Sequence, residues 1–109
     1  MSWQVKFFQT KRSDYPVKDF IEKLDKPLYI KILRYIDLIR NSGFLLKPPY
    51  VKKIQDGIWE LRITGKIQIR IIYSFFNNIF YLLHAFKKKK QKIPLKELSI
   101  ALDRMKELI

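Results

Sequence analysis

Strict alternation of apolar and polar positions marks the middle of the chain, and helical spacing marks both flanks. Trp59, Leu61 and Ile63 alternate with Glu60 and Arg62; Ile67, Ile69, Ile71 and Tyr73 alternate with Gln68 and Arg70. This period of two predicts half-buried strands over 58–63 and 67–73. Asn77-Asn78 then predicts a turn, followed by a strand over 79–86 that is apolar on both parities. A strand of that kind is covered on both faces or central in its sheet. At the front, Trp3, Val5 and Phe7 share one parity and predict a short strand within residues 2–8. Val51–Gln55 predicts another, and Asp56-Gly57 a two-residue hairpin turn of type I′.

Between the first strand and that hairpin the period changes to helical. Pro16 suits a first helical turn, with Ser13 or Asp14 as the cap. Val17, Phe20, Ile21 and Leu24 form one helix face, and Pro27 ends or bends that helix. A second helix is predicted over 28–41, with Gly43 as a left-handed C-terminal cap. The two form a helical hairpin lying on the sheet, with Phe20, Tyr29 and Tyr35 as packing aromatics. Pro94 opens a last helix with Leu95, Leu98, Leu102, Met105 and Ile109 on one stripe. Ile93, at the expected N-cap, is a poor cap and costs about 1 kcal/mol relative to Ser or Thr. The element order is β-α-α-β-β-β-β-α, in one domain covering residues 1–109.

Parity constrains the loop between the two alternating strands. A two-residue loop sets Arg62 opposite Ile69, on the same face. A three-residue loop, Thr64-Gly65-Lys66, pairs Arg62 with Gln68 and Glu60 with Arg70. A slip of one residue turns every side chain over, so the pattern favours the odd loop with Gly65 left-handed. Tyr73, on the opposite parity from Arg70, is expected in the core.

Composition narrows the class. The chain has 109 residues, 48% of them apolar, and no cysteine. That suits a single globular core and excludes disulfides and thiolate metal sites. No apolar run approaches the ~18 residues of a membrane span, and residues 1–10 do not read as a signal peptide. A soluble cytoplasmic protein without membrane attachment is expected. The net charge is +13, and residues 43–92 hold eleven basic and two acidic residues, a local +9. Such concentration favours a polyanionic partner, nucleic acid first, over an acidic protein or a merely solvated surface.

Candidate chemistry sits on the strands. Glu60, Arg62 and Arg70 share a face, and Lys87–Lys90 with Lys92 leave the end of the last strand. Arginines and lysines around a carboxylate can hold phosphate and neutralise a charged transition state. A 2′-hydroxyl nucleophile in RNA makes phosphodiester cleavage possible without metal. Equally, Glu60 and Arg70 can be an ordinary cross-strand ion pair, and the lysines a solvated tail. His84, the one histidine, is either a general acid or base or a packed residue. No metal site, cofactor motif, Gly-rich phosphate loop or activated Ser nucleophile is visible.

These residues carry a family resemblance. Asp56-Gly57-Ile58-Trp59-Glu60-Leu61-Arg62, Arg70-Ile71-Ile72-Tyr73, Leu83-His84-Ala85-Phe86-Lys87-Lys88-Lys89 and Gln91-Lys92-Ile93-Pro94 resemble the HigB-like, phage-derived branch of the RelE/ParE toxins. The resemblance implies an α+β, RelE-like fold: a twisted, mainly antiparallel sheet against an N-terminal helical hairpin, with a C-terminal helix. It implies a type II toxin that cleaves mRNA on the ribosome, without metal or cofactor, by 2′-hydroxyl attack on the adjacent phosphate. It further implies a small helix-turn-helix (HigA-like) antitoxin as partner, with a monomeric free toxin and higher assemblies through the antitoxin. Carried over, Arg70 contacts the scissile phosphate and Arg62 supports it. Lys88 and Lys89 stabilise charge, and Glu60 orients or accepts a proton. His84 also matches the pattern. Lys52, Lys53, Lys87, Lys90 and Lys92 are the expected RNA-backbone contacts. Lys90 and Ile93 depart from the pattern, which has Thr at both places. A gyrase poison of the ParE kind and a non-catalytic binding module are the other readings of this fold.

Overall fold

The computed structural model describes residues 2–109. The chain forms strand β1 (Gln4–Phe7), helices α1 (Pro16–Glu22) and α2 (Lys26–Ser42), a 3-10 turn (Gly43–Leu45), strands β2 (Val51–Gln55), β3 (Ile58–Ile63), β4 (Ile69–Phe76) and β5 (Ile79–Lys87), and helix α3 (Leu95–Glu107). The expected α+β class and element order hold. One five-stranded sheet runs β1-β5-β4-β3-β2, parallel between β1 and β5 and antiparallel elsewhere. Among the described residues no helix is long and apolar enough to cross a membrane.

Both sheet faces are covered, by different elements. The first core joins Val17 and Ile21 of α1 and Ile32, Ile36 and Ile39 of α2 to Leu61, Ile63, Ile69, Ile71, Tyr73, Phe80 and Leu82 of the sheet. The second joins Ile58, Ile72, Leu83 and Phe86 to Ala101 of α3, with Leu98, Leu102 and Met105 packed around them. Tyr73 lies in the first core as expected, stacked on Trp59 with ring centroids 5.9 Å apart. Burial raises its phenol pKa.

Strand β5 is apolar on both parities for two reasons. The sheet is covered on both sides, and the strand also changes parity midway. Ile72 pairs with His84 while Tyr73 pairs with Leu82, so Leu83 is an extra residue, a β-bulge. Phe80 and Leu82 face the α1/α2 layer before the bulge, and Ala85 takes that face after it.

The turns depart from expectation. Gly57 has φ +79° and Asp56 has no positive φ, so the β2–β3 hairpin is not type I′. Asn77 and Asn78 both have positive φ, 52° and 66°, which is the type I′ signature, between β4 and β5. The β3–β4 loop spans residues 64–68, two longer than predicted. Arg62 therefore pairs with Arg70, and Glu60 with Ile72. Because the loop is still odd, every side chain keeps its predicted face. Gly65 has φ 156°, far from the left-handed helical value. The Lys31 ammonium donates to the Thr64 carbonyl and ties α2 to this loop.

Helix ends also differ. Neither Ser13 nor Asp14 caps α1: the N-cap is Tyr15 without a side-chain bond, and Asp14 N–H donates to Thr10 Oγ1 at 3.1 Å. Pro27 neither ends nor bends a helix but sits in the first turn of α2. Gly43 follows α2 with φ +53° and ψ −125°, positive as predicted but outside the left-handed helical well. A Cβ there would lie 2.3 Å from the Trp3 indole, so the position is closed to larger residues. The N-cap of α3 is Pro94, not Ile93. Ile93 and Leu98 instead pack on the same core, the arrangement of a hydrophobic staple, which offsets the missing cap. Leu95 and Ile109, assigned to the packing stripe, are 83% and 88% exposed.

Candidate functional site

Helix α3 covers only part of its sheet face. At the end where β4 begins and β5 finishes, the face carries Glu60, Arg62 and Arg70. Lys52 lies opposite Glu60, so it shares this face. Lys88 continues the β5 register: its N–H donates to the Gln68 carbonyl at 2.8 Å. By parity Lys88 falls on the side of Phe86 and Arg70, whereas Lys87, opposite Ile69, falls on the other. Of these two, Lys88 is the one that shares the arginines' sheet face.

Here Glu60 and Arg70 are 1% and 2% exposed, whereas the Arg62 side chain is 32% exposed. Glu60 Oε1 lies 3.5 Å from Arg62 Nε and 3.8 Å from Arg70 Nε. Both are ion-pair distances without a hydrogen bond, and among the described residues none hydrogen-bonds Glu60 Oε2. Arg70 is held from its other edge. Its Nη1 donates to the Ile69 carbonyl at 3.0 Å and, more weakly, to the Ile63 carbonyl at 3.5 Å; Nη2 donates to Gln68 Oε1 at 2.8 Å. Burial lowers the Arg70 pKa, opposed by Glu60 and reinforced by Arg62, yet a guanidinium remains charged at neutral pH. The Lys88 ammonium is also shifted down, chiefly by desolvation and then by Arg70, with Arg62 and Lys52 adding to it and Glu60 opposing. One buried carboxylate thus stands among four cations.

An open cleft of about 620 Å³ lies against this cluster. Arg62, Arg70, Lys87, Lys88, Lys89 and Lys90 line it together with Lys66, Ile67, Gln68 and Gln91. No acidic residue lines it, so the cleft favours an anion. Its lining has one apolar side chain, Ile67, and no aromatic.

The structure therefore brings together Glu60, Arg62, Arg70, Lys88, Lys89, Lys87 and Lys90, with Lys52 beside them. It leaves three expected residues out. Lys53 lies opposite Trp59 on the other sheet face, its ammonium 3.4 Å from Asp56. Lys92 is exposed and does not line the cleft. His84 belongs to the α3 interface: its ring stacks on Phe86, and its Nε2 lies 3.3 Å from Glu97 Oε1. Arg104 Nη1 donates to the Leu83 carbonyl at 2.9 Å and to His84 Nδ1 at 3.3 Å. A guanidinium cannot accept, so Nδ1 is the acceptor and Nε2 carries the proton toward Glu97. Desolvation lowers the His84 pKa, and Glu97 opposes that shift. The imidazole is a packed, hydrogen-bonded residue that joins β5 to α3.

Sequence reasoning missed Gln68, Lys66, Ile67 and Gln91. Gln68 shares Arg70's parity, a signal that was present, but its assigned register set it against Arg62. It also missed Glu97 and Arg104, which lie seven apart on one face of α3. Among the described residues no group of three or more His, Cys, Asp or Glu side chains is placed to hold a metal ion.

The fold and the cleft stand beside two comparisons. A search of curated proteins finds no match to the chain. The family model described as "Phage derived protein Gp49-like (DUF891)" matches residues 19–106, which span α2, β2 to β5 and nearly all of α3. The chain belongs to this Gp49-like family of phage-derived proteins, a toxin–antitoxin-related family of RelE/HigB-like kind.

Proposed function

We propose that this phage-derived, toxin-like protein is an mRNA endonuclease of a type II toxin–antitoxin pair, acting on ribosome-bound message in the cytoplasm. The observation that carries the reading is the cleft itself: Arg62 and Lys88 meet on an open sheet face with no acidic residue in the lining. The 2′-hydroxyl attacks the adjacent phosphorus as its proton passes to solvent water, the P–O5′ bond breaks to leave a 2′,3′-cyclic phosphate, and negative charge grows on the non-bridging oxygens and on O5′. Fixed cations at that place stabilise the transition state more than the ground state.

Differences in exposure support a division of roles. Arg62 and Lys88 contact the phosphate, because both line the cleft and neither is buried as Arg70 is. Arg70, at 2% exposure, contributes its field and holds the cluster from beneath. Glu60, at 1% exposure, orients the arginines instead of taking a proton from substrate. A lowered pKa makes Lys88 the better proton donor to O5′. Lys66, Lys87, Lys89 and Lys90 hold flanking phosphates. A helix-turn-helix antitoxin with an acidic surface is the expected partner, and the free toxin is a monomer.

The test is induced expression in a bacterium, with growth, translation and mRNA 5′ ends followed for wild type, Arg62→Ala and Lys88→Ala. The reading expects arrest with new 5′ ends inside translated frames, lost in both variants. Arrest with DNA damage and intact mRNA would point to a gyrase poison, and undiminished cleavage in both variants would overturn the site.

A further inference from the structure

We propose that Gln68 is the positioning residue of this site, holding the buried Arg70 guanidinium with its side chain and the Lys88 backbone with its carbonyl. The inference rests on the endonuclease reading for its kinetic consequence, but the contact itself does not.

Gln68 is the last residue of the β3–β4 loop, immediately before β4. Its two polar groups serve two different partners. Side-chain Oε1 accepts from Arg70 Nη2 at 2.8 Å, and the main-chain carbonyl accepts from Lys88 N–H at 2.8 Å. The second bond extends the β4–β5 ladder one residue past Lys87 and fixes where the lysine segment leaves the sheet. Arg70's other hydrogen-bond acceptors are backbone carbonyls, those of Ile69 and Ile63. Gln68 therefore provides the one side-chain acceptor in this set, and it also lines the cleft. A planar guanidinium anchored only at Nη1 can rotate about that bond. Anchored at Nη1 and Nη2 it is fixed, with Nε turned toward Glu60.

Glu60 in turn lies between Arg70 and Arg62. The chain of contacts thus runs from Gln68 through Arg70 and Glu60 to Arg62, which reaches the cleft. Gln68 also sets the backbone of Lys88, so both cations assigned to the phosphate depend on it. A neutral amide suits this place. It accepts from arginine without putting a negative charge where an anion binds.

The experiment compares wild type with Gln68→Met, which keeps length and removes the acceptor, and Gln68→Glu, which keeps an acceptor and adds a negative charge. Gln68 is exposed, so both variants fold, as a matching thermal melt will show. The first readout is nitrogen-15 NMR of the Arg70 side chain. A fixed guanidinium gives separate, slowly exchanging Nη resonances in wild type and Gln68→Glu, and an averaged signal in Gln68→Met. The second is message cleavage with ribosomes. Gln68→Met lowers kcat between about tenfold and a hundredfold with KM little changed, whereas Gln68→Glu retains kcat and raises KM at low salt. Unchanged Arg70 resonances in Gln68→Met would overturn the positioning role, whether or not the protein cleaves RNA. Altered resonances with undiminished kcat would overturn its link to the chemistry. A wild type that cuts no message would sink the endonuclease reading alone, with the NMR result still deciding the contact.

Discussion

Replacing Glu60 with Gln removes one negative charge at nearly constant shape, and the structure sets the size of the effect. The carboxylate lies 3.5 Å from Arg62 Nε and 3.8 Å from Arg70 Nε. At an effective dielectric of about 20, each pair has a gross Coulomb energy of about 4–5 kcal/mol. The Arg62 side chain is 32% exposed, so solvent screens much of its share. Keeping a carboxylate out of water costs several kcal/mol, which Gln avoids. What remains is a buried Arg70 charge facing Arg62, Lys88 and Lys52 with no anion among them. The expected loss is about 3 kcal/mol, the lower end of the range for breaking a buried pair. Urea denaturation at low ionic strength measures it, since a neutral denaturant leaves charges unscreened. The midpoint should fall by about 2 M. Inorganic phosphate should restore more stability to the variant than to wild type, because the cleft has become more positive and its ligand binds the folded state. A midpoint within about 0.3 M of wild type, less than about 0.5 kcal/mol at a slope of about 1.5 kcal/mol per M, would refute the idea that Glu60 holds the cationic cluster together.

Gly43→Ala should destabilise the fold by about 3 kcal/mol, since its Cβ falls 2.3 Å from the Trp3 indole at φ +53°; a thermal melt equal to wild type would contradict this. His84 stays neutral in the fold, between Glu97 and Arg104 of α3 and beside Phe86 of β5, and its pKa lies below the ordinary 6.5. The unfolded chain takes up that proton as pH falls through 6.5, while the folded chain does so only at lower pH. Stability from this group is therefore lost below pH 6.5, at up to about 1.4 kcal/mol per pH unit. His84→Gln should show a smaller change in urea midpoint between pH 7.5 and pH 5.5, and equal changes would contradict the assignment. Lys52→Ala should weaken single-stranded RNA binding and lower the salt slope by about 0.7, whereas Lys53→Ala, on the opposite sheet face, should leave both unchanged.

Much of the site could be read from parity. Alternation in β3 and β4 depends only on the local chain, so it placed Glu60, Arg62 and Arg70 on one face even though the loop is two residues longer than predicted. A slip of two residues preserves faces while changing partners. Arg62 therefore stands opposite Arg70, not Gln68, and the role of Gln68 stayed hidden. The same limit applies to Lys53, one residue from Lys52 in a short strand whose face depends on its neighbour.

By itself the sequence determined the element order, the apolar character of β5 on both parities and the concentration of positive charge around residues 43–92. These follow from hydrophobic period and composition, which act within a few residues of each position. Only the tertiary structure decided which charges are buried. Arg62 and Arg70 look equivalent in sequence and both line the cleft, yet Arg70 is 2% exposed while the Arg62 side chain keeps 32% of its surface open. It also decided the fate of His84. A bulge at Leu83 and the docking of α3 set that ring between Glu97 and Arg104, away from the cations it resembles in sequence. Burial is a property of what packs on a residue from distant parts of the chain, and local pattern carries no record of that.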